Sequence, residues 1–175
     1  MPLIYVTGNA GAGKSTICKE LKARGYDEVY DIDENNIAAW YDRATGERVE
    51  YPKKDEQRTK AWNDKHSYKM ARSRIEQFAK DSKNETIYLC GQSIHDEEVW
   101  DLFDDTIFLV VDKESLKYRL TNREGNVFGK TPGELTAIME VHDSFQLKHQ
   151  KNGATFIEAT RQISKVVEEI INLTQ

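Results

Sequence analysis

The chain has 175 residues, of which 31% are charged and 38% hydrophobic, with a net charge of −5. This balance excludes a disordered chain, and the mild acidity argues against a protein that binds nucleic acids in general. The two cysteines are far apart and form no zinc-binding motif,. No apolar run approaches the roughly 18 residues of a membrane span, and the first residues lack the features of a signal peptide. We therefore expect a cytoplasmic monomer or homodimer.

Short apolar segments alternate with segments of helical periodicity along the chain. The apolar, β-branched segments predict strands at residues 3–7, 28–32, 86–91, 106–112 and 154–159,. The periodic segments predict helices at residues 14–24, 34–41, 56–80, 114–123, 134–150 and 163–173,. This alternation predicts an α/β fold in three layers, with one parallel sheet covered by helices on both faces. We expect a single domain that covers residues 1–175.

A glycine-rich motif follows the first predicted strand. Residues 8–15 read GNAGAGKS and fit the pattern G-x-x-x-x-G-K-[ST], with a strand before it and a helix after it,. Glycines let the backbone approach a phosphate closely, and successive N–H groups then form an anion nest. The following helix adds the positive end of its dipole. The motif predicts a site for a nucleoside triphosphate, contacted by the loop and the first helical turn: Gly8, Asn9, Ala10, Gly11, Ala12, Gly13, Lys14, Ser15 and Thr16.

Three classes of protein use this motif: GTPase switches, ATPase motors and small-molecule kinases. A GTPase needs a guanine-reading N/T-K-x-D, and the residues at Asn63 read NDKH, in the wrong order and within a predicted helix. An ATPase motor needs acidic residues at the end of a later strand. Asp112 stands in such a place, but it leads directly into a predicted helix and is better interpreted as the N-cap of that helix. The kinase class accounts for more of the remaining residues.

Two carboxylates follow the second predicted strand, where parallel strands end at the ligand crevice. Alternation in an extended segment would place Asp31 and Asp33 on one side of the chain,. Together with the Ser15 hydroxyl they could bind Mg²⁺, and Asp33 could accept the proton of a substrate hydroxyl while Lys14 contacts the β- and γ-phosphates. Helix capping by Asp33 beside a surface Asp31 remains the alternative.

Two arginines lie four residues apart on one face of the helix predicted at 114–123. Arg119 and Arg123 could stabilise the charge that develops during phosphoryl transfer, and Arg119 would also contact ATP,. The alternative is a pair of surface arginines balanced by acids such as Glu124. The glycine-rich segment after them predicts a short lid at about residues 122–134. Arg161, between the last strand and helix, could stack on the purine base, or could belong to a plain turn.

The acceptor is expected to bind in a helical region at about residues 34–82. We expect Asp33, Gln92 and Arg58 to contact the substrate. The amide of Gln92 can read a base edge or a sugar hydroxyl, or it can cap a loop. The aromatic residues Trp40, Tyr41, Tyr51 and Trp62 could stack on a base, but we favour their interpretation as the core of a helical flap,.

These motifs, taken in order, resemble the small P-loop kinase superfamily, which includes adenylate, nucleoside, shikimate and gluconate kinases. The resemblance implies a five-stranded parallel sheet in the order 2-3-1-4-5 and transfer of the γ-phosphoryl group of Mg·ATP to a small molecule. The sequence departs from shikimate kinases, which have three glycines after strand three where this chain has Gly91, Gln92 and Ser93. It departs from adenylate kinases in its short lid and in Gln92. A nucleoside or nucleotide acceptor is our first choice, a polyol or small acid the second, and an ATP-binding regulator without transfer the third.

Overall fold

The computed structural model describes residues 1–57, 59–124, 128–130 and 132–175, with residues 55 and 60 described by their backbone. The described residues form the strands β1 Leu3–Gly8, β2 Val29–Asp31, β3 Ala38–Asp42, β4 Arg48–Val49, β5 His66–Met70, β6 Ile87–Cys90, β7 Asp105–Val110 and β8 Thr155–Glu158. The α-helices are α1 Lys14–Ala23, α2 Lys60–Lys65, α3 Arg72–Asp81, α4 Lys113–Asn122, α5 Pro132–Lys151 and α6 Ile163–Thr174. No helix in these ranges is long and apolar enough to cross a membrane.

A five-stranded parallel sheet forms the centre of the molecule, in the order β2-β6-β1-β7-β8. Counted along the chain within this sheet alone, the order is 2-3-1-4-5, which confirms the predicted topology. β1 is buried along its whole length, as expected for a central strand covered on both faces. Beside β1 the strand order along the chain reverses its direction across the sheet, and this switch point opens a crevice at the carboxyl end of β1, where the glycine-rich motif lies,.

Alternating side chains of β1 supply two separate cores, one on each face of the sheet. Ile4 and Val6 pack with buried residues of α1, α4, α5 and α6. Leu3 and Tyr5 pack with buried residues of α3 on the opposite face. The predicted three-layer α/β architecture is therefore confirmed.

A second, antiparallel sheet has the order β4-β3-β5 and lies partly where helices at residues 34–41 and 56–80 are predicted. The helix prediction at 34–41 is wrong, and the one at 56–80 is correct only for the segments that form α2 and α3. Asn36 adopts a φ of 53° in the turn that precedes β3, and β5 interrupts the second predicted helix so that only its ends, α2 and α3, are helical. The backbone groups of β3 and β5 pair with each other, from Ala38 with Met70 to Asp42 with His66. This pairing between distant segments overrides the local helical pattern.

Candidate active site

The loop between β1 and α1 has the geometry that its glycines predict. Gly13 precedes α1 with a φ of 104°, a left-handed conformation that costs glycine little,. A Cβ on Gly8 would lie 2.8 Å from the carbonyl oxygen of Leu109 on β7, so a larger residue could not pack there. The loop therefore passes close to the neighbouring strand and turns sharply into the helix.

Backbone donors at the start of α1 are available to a ligand. Gly13, the N-cap residue, supplies no side-chain hydrogen bond to the helix. In the described part of the chain, the backbone N–H groups of Lys14 and Ser15 donate no hydrogen bond. These free N–H groups and the positive end of the helix dipole attract an anion. Lys14 and Ser15 both line a large cleft, so an anion from solvent could reach the helix end.

Lys14 folds back over this loop. Its ammonium group donates hydrogen bonds to the carbonyl oxygens of Gly8, at 2.8 Å, and Asn9, at 3.0 Å. Burial lowers the pKa of Lys14 to about 8, although the negative charge of Asp33 opposes this shift,. The lysine is thus held at the loop as a desolvated cation, whose charge an incoming phosphate would stabilise.

Asp31 ties the end of β2 to the start of α1. Its Oδ2 accepts a hydrogen bond from the Ser15 hydroxyl at 2.7 Å, and its Oδ1 accepts one from the Asp33 amide at 3.0 Å. The side chain is buried. Asp31 and Ser15 therefore place a carboxylate and a hydroxyl oxygen beside each other, which are ligand types that suit Mg²⁺.

Asp33 differs from Asp31 in exposure and in its contacts. It lies in the turn after β2 and lines the cleft. Desolvation raises the pKa of its carboxyl group, and a hydrogen bond donated by the Tyr68 hydroxyl to Oδ1 opposes this shift,. The negative charges of both aspartates raise the pKa of Lys14, against the larger effect of burial. Asp33 is therefore the carboxylate that a small molecule in the cleft could contact.

The two predicted arginines reach the same cleft from α4 and the residue after it. Arg119 donates to the carbonyl oxygens of Ala12, at 3.2 Å, and Ala159, at 2.9 Å. Arg123 donates to the Phe128 carbonyl oxygen. Within the described residues its buried Nε has no partner, and burial lowers the pKa of its guanidinium. Both side chains line the cleft together with the glycine-rich loop.

The other predicted site residues have different outcomes. Gln92 follows β6 and lines the cleft, and its side-chain amide has no hydrogen-bond partner in the described ranges. Arg161 also lines the cleft; its guanidinium is fixed by Glu169, at 2.5 Å, and by the Glu158 carbonyl oxygen, at 3.0 Å.

Arg58 lies outside the described residues, as do residues 125–127 and 131 of the predicted lid. Asp112 caps α4 by accepting from the Ser115 amide at 2.8 Å, which confirms its interpretation as a helix cap.

The aromatic residues of the small sheet pack mainly against one another. The ring centroid of Trp40 lies 5.1 Å from that of Tyr51 and 4.8 Å from that of Trp62. The packing of Trp40, Tyr51 and Trp62 supports their interpretation as the core of a flap, although only Trp62 lies on a helix, α2, while Trp40 lies on β3. Trp40 and Tyr51 also line the cleft, so one aromatic surface remains available to a ligand.

The cleft has a volume of about 2470 Å³ and continues from the glycine-rich loop to the small sheet and α5. Sequence reasoning missed two of its walls. The helix predicted at residues 56–80 includes Tyr68, although its spacing of two from Met70 is a strand signal. The apolar wall that α5 contributes, including Val141 and Phe145, has no sequence signal that separates it from an ordinary core-facing stripe.

The comparisons with known proteins agree with this geometry. A family model described as an AAA domain matches residues 4–134. Similar solved structures include a shikimate kinase from Acinetobacter baumannii in complex with shikimate, with 16% identity, a TM-score of 0.63 and coverage of 99% of this chain and 92% of that one. A deoxyadenosine kinase from M. mycoides with bound dATP has 16% identity, a TM-score of 0.56 and coverage of 99% and 98%. A gluconokinase from Sinorhizobium meliloti 1021 has 15% identity, a TM-score of 0.55 and coverage of 99% and 93%.

A search of curated proteins finds no match. At these identities the structural matches show that this chain shares the fold of these small-molecule kinases, and the family match shows an AAA domain over residues 4–134.

Proposed function

The chain belongs to the AAA domain family, and from this premise we propose that it transfers the γ-phosphoryl group of Mg·ATP to a small-molecule acceptor. The observation that carries the proposal is the convergence of unlike groups on one cleft. Lys14 and the free amides of α1 lie at one side, Arg123 reaches in from the end of α4, and Asp33 lies on the wall formed after β2. Phosphoryl transfer needs all three, whereas a nucleotide sensor needs only the first.

The loop and its neighbours would hold ATP. The amides of the first turn of α1 and the Lys14 ammonium would bind the β- and γ-phosphates. Arg119, already bonded to the Ala12 carbonyl oxygen, would lie beside the phosphates. Arg161, whose guanidinium is fixed by Glu169, would flank the base.

The residues present fit a magnesium ion. Ser15 and Asp31 offer adjacent oxygen ligands, and Mg²⁺ is usually held by one or two carboxylates together with substrate phosphates. We assign Ser15, Asp31 and Asp33 as the groups that would hold it. When bound, the ion neutralises charge on the phosphate oxygens.

Asp33 and Arg123 would act on the reacting atoms. Asp33 would accept the proton of the acceptor hydroxyl as the new oxygen–phosphorus bond forms, and the bond from the γ-phosphorus to the bridging oxygen would break to release ADP. The guanidinium of Arg123 would stabilise the negative charge on the transferring group. Among the described residues its Nε has no partner, so it is a donor that such a group could use.

We propose a nucleoside or nucleotide as the acceptor because the far part of the cleft combines an amide with apolar and aromatic walls. Gln92 can read a base edge, and Trp40 presents an aromatic ring. Val141 on α5 and Ile94 both line the cleft, and the two residues are 50% and 47% exposed. A base would cover this apolar surface with its own ring. A polyol would place hydroxyl groups against it, where they find no hydrogen-bond partner.

The charge on the α5 wall also favours a neutral ring over a small acid. Lys148, the cation that α5 places on this wall within the described residues, is already paired with Asp96 at 2.6 Å and with Glu97. Using it to bind a carboxylate substrate would break these ion pairs and leave the buried Asp96 less well compensated.

The proposal is tested by measuring ADP formation with a panel of nucleosides, nucleoside monophosphates, polyols and small acids. We expect ADP formation to depend on a nucleoside or nucleotide. Dependence on a polyol or acid would overturn the acceptor assignment, and slow ATP hydrolysis without any acceptor dependence would indicate a regulator instead. With the acceptor identified, Asp33→Asn should lower kcat by about 100-fold or more and weaken ATP binding far less.

A further inference from the structure

We propose that Tyr68 is a positioning residue for Asp33: its hydroxyl holds one carboxylate oxygen so that the other faces the acceptor. The proposal rests on the proposed function, because it concerns the carboxylate that would accept the proton of the acceptor. Tyr68 belongs to neither the glycine-rich motif nor the parallel sheet, and it does not itself need to touch the reacting atoms.

The hydrogen bond joins the two sheets of the molecule. Tyr68 lies on β5, directly opposite Trp40 on β3, and the centroids of these two rings are 5.3 Å apart. Asp33 lies in the turn that follows β2 of the parallel sheet. The Tyr68 hydroxyl donates to Oδ1 of Asp33, so the small sheet fixes the direction of a carboxylate that belongs to the large one.

One oxygen of Asp33 is left for chemistry. In the described part of the chain Oδ1 is bonded by Tyr68, and no hydrogen bond occupies Oδ2. The Asp33 backbone is itself fixed, because its amide donates to Asp31 at 3.0 Å. Only rotation of the side chain remains free, and this is the motion that a bond to Oδ1 restricts.

Packing alone does not account for where the Tyr68 hydroxyl is placed, at the Asp33 carboxylate. A tyrosine placed only for packing would need no carboxylate at its hydroxyl, since its ring already contacts Trp40.

The test is Tyr68→Phe, which keeps the ring and removes only the hydroxyl. We expect kcat to fall by about 10-fold or more, as is usual when the outer partner of a working carboxylate is lost, with the KM for ATP and the melting temperature unchanged. The matched control is Tyr41→Phe on β3. Tyr41 belongs to the same sheet but does not line the cleft, and the centroid of its ring lies 6.0 Å from the Lys69 ammonium. Removal of the Tyr41 hydroxyl should therefore leave kcat unchanged.

A double-mutant cycle with Asp33→Asn separates positioning from other roles. If Tyr68 acts through Asp33, then Tyr68→Phe should cause no further loss in the Asp33→Asn protein. Equal losses in both backgrounds, or a wild-type kcat for Tyr68→Phe, would overturn the inference. A crystal structure of Tyr68→Phe gives a readout without turnover: the Asp33 carboxylate should rotate away, and an unchanged orientation would contradict the proposal.

The failure of this inference can be told apart from failure of the proposed function. If Asp33→Asn itself retains the wild-type kcat, then the role proposed for Asp33 is wrong. If Asp33→Asn is impaired while Tyr68→Phe is not, only the positioning role of Tyr68 is wrong.

Discussion

Gly91→Ala should lower the free energy of unfolding and slow phosphoryl transfer, because Gly91 packs against Ile32, the residue between Asp31 and Asp33. A Cβ on Gly91 would lie 2.0 Å from Cγ1 and 2.4 Å from Cδ1 of Ile32. Ile32 is fully buried, so its side chain cannot turn outward to make room. The added methyl group must therefore push on the backbone between Asp31 and Asp33.

Overpacking of this kind costs about 1 to 3 kcal/mol in the free energy of unfolding. For a domain of this length each kcal/mol corresponds to about 2 to 4 °C, so the melting temperature should fall by about 2 to 12 °C. The loss should be accompanied by slower phosphoryl transfer, because Asp33 moves with Ile32. Thermal unfolding followed by circular dichroism measures the first effect, and acceptor-dependent ADP formation measures the second.

Two further variants control this prediction. Gly133→Ala, in α5, meets no atom within 4 Å and should leave the melting temperature unchanged or higher. Combining Gly91→Ala with Ile32→Ala removes the two clashing carbons, so the combined loss should be smaller than the sum of the two single losses. Wild-type stability and wild-type transfer in Gly91→Ala would refute the reasoning.

Three further predictions concern the nucleotide side of the cleft. Because the pKa of Lys14 is lowered to about 8 in the free protein and bound phosphate favours the charged form, ATP should bind more weakly, with proton uptake, as pH rises through that value. Calorimetry in two buffers of different ionisation enthalpy measures this uptake, and an affinity independent of pH would contradict it. Arg123→Ala should lower kcat by about 100-fold with no change in melting temperature; a loss of stability alone would favour a structural role. Gly8→Ala should lose ATP binding in a titration, because its Cβ would lie 2.8 Å from the Leu109 carbonyl oxygen, and wild-type affinity would show that the loop tolerates a side chain.

The parallel sheet could be predicted from sequence because each of its strands carries its own signal. β1 and β6 are short apolar runs buried along their whole length, and helices with a clear apolar stripe separate most of the strands. The small sheet could not be predicted in the same way. β4 has only two residues, and β3 is stabilised by pairing with β5 from a distant part of the chain. The spacing of Tyr68 and Met70 was the local sign of a strand there.

The candidate site likewise contains residues that local sequence signals fix and contacts that depend on how distant segments pack. The surroundings of Lys14, Ser15 and Asp31 could be predicted because a motif or the end of a strand fixes them, and the bond between Ser15 and Asp31 agrees with that placement. The contact between Tyr68 and Asp33 depends on how the two sheets meet. Likewise, the apolar wall of α5 faces the cleft only because of how that helix packs. A pattern within one segment carries no information about such contacts.

The most direct measurement is a crystal structure of this protein with Mg²⁺ and a non-hydrolysable ATP analogue. We expect the β- and γ-phosphates on the amides of residues 13–15, the Lys14 ammonium turned from the loop carbonyl oxygens to the phosphates, and Arg123 and Asp33 facing the γ-phosphate from the other side of the cleft. An analogue bound elsewhere, or one bound on the loop with Arg123 and Asp33 both turned away from the γ-phosphate, would contradict the assignment of a phosphotransferase.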